Sequence, residues 1–73
     1  MNYEAKKGDI VAVQYLYRSK LRSELFTFIN YNTNKKELWV CRKFPDGNII
    51  TSVIKENNII DFHRYTEDEL NER

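Results

Sequence analysis

A chain of 73 residues, with 12 Lys and Arg against 11 Asp and Glu and a net charge of +1, has room for one domain and one small core. Its single cysteine, Cys41, excludes a disulfide within the monomer, and Cys41 with His63 leaves a tetrahedral zinc site short of sulfur and imidazole donors. No apolar run reaches the roughly 18–20 residues of a membrane helix and no apolar signal segment follows Met1, so the expected setting is cytoplasmic, with no membrane partner, metal or cofactor.

Residues 1–7 are polar and read as a short lead-in. Gly8-Asp9 then introduces Ile10 to Tyr17, where Val11, Val13, Tyr15 and Tyr17 share one face of an extended strand and Ile10, Ala12, Gln14 and Leu16 the other. Its β-branched and aromatic content favours strand over helix. Arg18 to Glu24 is polar, basic and short, which predicts a loop. Leu25 to Tyr31 forms a second strand, apolar on both faces, so the pattern leaves open which face is buried. Asn32-Thr33-Asn34-Lys35-Lys36 makes a hairpin turn of residues that tolerate left-handed backbone, and Glu37 to Phe44 returns as the third strand.

Pro45-Asp46-Gly47 is the strongest turn signal: proline presets the first corner and glycine accepts the positive φ of a bulged hairpin. Asn48 to Lys55 follows as the fourth strand, Glu56-Asn57-Asn58 turns, and Ile59 to Tyr65 makes a short fifth. Thr66 and Glu69 have capping-box spacing, so the acidic segment 66–73 is either frayed or one helical turn. The expected architecture is all-β: residues 1–65 as one five-stranded, partly open barrel, with 66–73 as its tail. Closure matters because a flat sheet this small would expose apolar edges.

The layout resembles the SH3-like barrels, on Gly8-Asp9-Ile10-Val11-Ala12-Val13 at the opening, the polar segment 18–24, the hairpins near 32–36 and 45–48, and the Asn57-Asn58-Ile59-Ile60 step into the last strand. In size and style it is similar to small accessory proteins of bacteriophages and prophages, which implies a docking role. The opening is also similar to that of endoribonuclease toxins with an SH3-like core. Those carry an arginine-proline pair after the first loop, and Leu25-Phe26-Thr27 stands in its place, so the resemblance does not extend to the catalytic residues.

Charge is sorted along the chain. Residues 18–43 hold seven basic side chains against Glu24 and Glu37, whereas 66–73 set Glu67, Asp68, Glu69 and Glu72 against Arg73. Tyr15, Tyr17, Arg18, Lys20 and Arg22 run together into the first connection, and Trp39 and Arg42 share the third strand. Arginines beside large aromatics concentrate binding energy at protein interfaces, and these seven residues form the candidate contact set. His63 lies on the same strand face as Asp61 but has no nucleophile placed beside it, Cys41 reads as a small buried hydrophobe, and two glycines cannot build a phosphate-binding loop. The expectation is a non-enzymatic module that docks on a larger protein, as a phage-encoded inhibitor or adaptor. The alternative is a nucleic-acid binder using the basic 18–43 region, against which a pI near 7.8 counts. Homodimerisation through an edge strand suits so small a core, but no residue specifies it.

Overall fold

A computed structural model describes residues 3–71; Met1 and Asn2 of the lead-in and Glu72 and Arg73 of the tail lie outside the described residues. Five strands, β1 (Ile10–Tyr17), β2 (Lys20–Asn32), β3 (Glu37–Lys43), β4 (Ile49–Lys55) and β5 (Ile59–Arg64), form one antiparallel sheet in the order β4-β3-β2-β1-β5. A 3₁₀ turn at Glu56–Asn58 carries the chain from β4 back to β5, which pairs with β1. This meander with a returning fifth strand is a small, partly open all-β barrel: among the described residues no ladder joins β4 to β5. Glu67–Asn71 adds one helical turn, α1.

Alternation decides the core. Val11, Val13 and Tyr15 of β1 face Phe26, Phe28, Leu38, Val40, Ile54 and Ile59, all buried. The segment that is apolar on both faces is resolved by a register shift between Phe28 and Asn30. Ile29 is the extra residue of a bulge, so the inward positions pass from Phe26 and Phe28 to Tyr31. Tyr3 belongs to this core as well. Its ring stacks on Tyr31 at 4.3 Å and meets Phe62 edge-on at 5.1 Å, so the lead-in closes one end of the barrel.

The expected loop at 18–24 does not form. Arg18 and Ser19 make a two-residue turn with φ of 51° and 66°, and β2 begins at Lys20. Turns with positive φ at both central positions match the twist of a hairpin, and here non-glycine residues accept that conformation. The first hairpin therefore extends as an arm, Tyr17 opposite Lys20 and Tyr15 opposite Arg22.

The other turns follow their sequence signals. Asn32 Oδ1 accepts from the N–H of Asn34 and Lys35, and Gly47, at φ 90°, donates to Phe44 O in a bulged turn. At α1, Glu69 N–H donates to Thr66 Oγ1 while Thr66 N–H donates to Glu69 Oε1, the reciprocal bonds of a capping box.

Candidate functional site: a cationic groove on the core side of the sheet

Beyond the last core residues, the inward positions of the sheet turn polar. The register places Arg22 beside Tyr15 and Glu24 beside Val13 on the β1–β2 arm, and Arg42 beside Ile50 on the β3–β4 hairpin. Because the barrel is open here, these side chains line a groove of about 460 Å³ with Tyr17, Phe26, Phe44 and Ser52.

Glu24 organises it. Its Oε1 accepts from the Tyr15 hydroxyl at 2.5 Å and lies 3.6 Å from Arg22, and its Oε2 accepts from Arg42 at 2.8 Å. Burial first, and the Glu24 carboxylate second, push the Tyr15 phenol up to about 12. The arginines are further held over rings: Arg22 lies 4.8 Å and Arg18 5.4 Å from the Tyr17 centroid, and Arg42 5.3 Å from that of Phe44. Among the lining residues, Arg22 and Arg42 face the single carboxylate of Glu24, a surplus of one positive charge, and Arg18 and Lys20 add charge at the tip of the arm.

Six of the seven candidate contact residues thus fall on the arm or the groove. Tyr15, Tyr17, Arg22 and Arg42 line it, Arg18 stacks on Tyr17, and Lys20 pairs with Tyr17 at the arm's tip. Trp39 does not join them. It sits one position from Val40 and Leu38 on the opposite, convex face, between Asn30 and Val53. Glu24, Phe44, Ile50 and Ser52 were not among the candidates. Extending the alternation of Phe26 back through Glu24, Arg22 and Lys20 would have found the first of them.

The remaining chemistry-bearing residues lie elsewhere. His63 Nε2 is 2.8 Å from Glu69 Oε2 and its ring meets Tyr65 at 4.8 Å, on the outer face of β5. The Thr66 N–H and then His63 hold the Glu69 carboxyl below its ordinary range. Cys41 is buried between Thr27 and Thr51. Among the described residues, no three His, Cys, Asp or Glu side chains gather as metal ligands, and no helix is long and apolar enough to cross a membrane.

In comparison with known proteins, no family model, no curated protein and no solved structure matches the chain. The groove has to be read from its own geometry. It can offer guanidinium groups, pre-oriented on rings and on one carboxylate, to a ligand that brings acidic and apolar groups together.

Proposed function

We propose that this chain is a non-enzymatic binding module that docks on a larger protein through the groove, acting in the cytoplasm as an inhibitor or adaptor of the bacteriophage accessory kind. The observation that carries the reading is the convergence of Tyr15, Tyr17, Arg22 and Arg42 on one open groove whose arginines are held over aromatic rings. Stacked arginines lose little freedom on binding, and an Arg–Tyr cluster at the centre of a patch is where interface energy concentrates. Glu24 tunes the preference. Its carboxylate between Arg22 and Arg42 offsets part of their charge, which disfavours a densely charged polyanion, and leaves each guanidinium further donors for a partner's acceptors.

The test is a pull-down from a bacterial lysate with nuclease present, comparing wild type with Tyr17→Ala/Arg22→Ala. A stoichiometric protein held by the wild type and released by the double variant supports the module. Equal retention by both would remove the groove from the interaction.

The basic arm, with Arg18, Lys20 and Arg22, and Arg42 across the groove from it favour one second reading, a nucleic-acid binder. Its signature is loss of all retained material on nuclease treatment, with affinity that falls steeply as salt rises.

A further inference from the structure

The two open edges of the sheet are built differently. β5 carries Asp61, His63 and Arg64, and its ladder to β1 is broken by a register shift at Gln14/Tyr15; charge and irregularity are the usual means of blunting an edge. β4 has neither. Ile49-Ile50-Thr51-Ser52-Val53-Ile54 is uncharged, free of proline and glycine, and runs against β3 without a bulge. Ile49 is 60% exposed, Ile50 55% and Val53 44%. A run of this composition along an unpaired edge is the pattern that recruits another strand.

The hydrogen-bond phase of the hairpin shows what that edge presents. Phe44 N–H donates to Asn48 O at the turn, and Glu56 N–H donates to Lys36 O at the far end. Alternation between these points turns the backbone groups of Ile50, Ser52 and Ile54 toward β3 and those of Ile49, Thr51 and Val53 outward. We infer that this edge binds a second copy of the chain, β4 to β4, antiparallel about a two-fold axis at Thr51.

That register is self-complementary. Outward-directed residues meet outward-directed residues, and convex-face side chains stay on the convex face. Thr51 lies opposite Thr51 of the second copy, Ile49 opposite Val53, and Ile50 opposite Ser52, so no like charges face each other. Moving the axis to Ser52 would instead set Ile49 against Lys55. Two-fold pairing also closes: each copy uses its one unguarded edge once, which gives a dimer and not a fibre. Trp39, beside Val53 on the convex face, lies next to the new pairs. The inference goes beyond the groove's ligand and does not depend on it.

Sedimentation equilibrium of the whole chain over a micromolar-to-millimolar range tests this, with Trp39 emission and amide hydrogen exchange followed in the same samples. The expected result is a monomer–dimer equilibrium, a blue shift of Trp39 as dimer forms, and slowed exchange at Ile49, Thr51 and Val53. Val53→Lys, at a half-exposed position, weakens dimerisation by about tenfold or more with the circular dichroism unchanged. Thr51→Pro removes an outward N–H without touching a bond to β3 and abolishes pairing.

A monomer at every concentration overturns the inference, as does a dimer that Val53→Lys leaves intact or whose outward amides exchange as in the monomer. Protection of those amides in a monomeric chain, on adding another protein, overturns it too and gives the edge to a partner's strand. Tyr17→Ala/Arg22→Ala dimerises like wild type, so failure of either reading leaves the other standing.

Discussion

Replacing Glu24 by glutamine keeps the shape and an acceptor oxygen but removes the charge that Tyr15, Arg22 and Arg42 share. Arg42 is half exposed, so its ion pair contributes about 0.5 kcal/mol. The bond from the part-buried Tyr15 hydroxyl is charge-assisted, and its weakening costs about 1 kcal/mol. Together these predict a loss of roughly 1–2 kcal/mol, which in a domain of this size lowers the melting temperature by about 5–12 °C.

A second readout separates this network from simple packing. The Tyr15 phenol is raised from 10.0 to about 12, by burial foremost and by Glu24 next. A raised folded pKa means that Tyr15's contribution is fully present below pH 10 and fades as pH climbs toward 12. Glu24→Gln lowers the phenol only part of the way, since burial remains, and so flattens the alkaline loss of stability. Tyr31, also raised to about 12 by burial and Glu56, titrates in both proteins as a common background. Thermal melts from neutral to strongly alkaline pH, with phenolate absorbance, provide the measurement. A melting temperature within about 2 °C of wild type, with an unchanged alkaline slope, would show that Glu24 does not organise the groove.

Leu38→Ala, at a fully buried position on β3, costs about 2–5 kcal/mol against a total of about 4–10 for a chain this short, so the urea midpoint followed by far-UV circular dichroism should fall by roughly half. Gly47→Ala meets no atom within 4 Å but forces a Cβ onto φ 90°; a loss of about 1 kcal/mol by urea titration is expected, with the m-value unchanged. The Lys55 ammonium holds the Glu37 carboxyl below its ordinary 4.5, so this pair's contribution is present above that pH and is lost as pH falls through the lowered value. Lys55→Met should flatten the acid limb of stability in melts taken at falling pH; an unchanged limb would assign the acid sensitivity elsewhere.

How much of this was legible in the residues depends on which interaction set each feature. Val11, Val13 and Tyr15 declared their strand and their buried face by alternation alone, because β1 buries every second residue from Val11 to Tyr15. Pro45-Asp46-Gly47 and Thr66 with Glu69 carried their turn and cap in local chemistry. What alternation could not give was the bulge at Ile29, which exists only in the pairing with β3, nor the role of Tyr3, whose stacking partner Tyr31 is brought to it by the tertiary fold. Arg18-Ser19 misled for a different reason: without glycine or asparagine a two-residue turn has no local signature, and the hairpin's pairing imposes the positive φ. The arm, and with it the inward row Arg22 and Glu24, was hidden by that one turn.

The groove and the β4 edge also call for opposite responses to salt, which makes ionic strength a sharper instrument than mutagenesis alone. Binding at the groove engages the guanidinium groups of Arg22 and Arg42, with Arg18 and Lys20 on the arm beside them, so its affinity should fall as screening increases. Pairing at β4 matches uncharged side chains while bringing two such cationic grooves onto one continuous sheet, so salt should relieve repulsion and strengthen it. Titrating sodium chloride while following partner capture and sedimentation together therefore separates the two surfaces in one wild-type sample. If both weakened in parallel, the association would run through the groove's charges, and the apolar run Ile49–Ile54 would have no part in it.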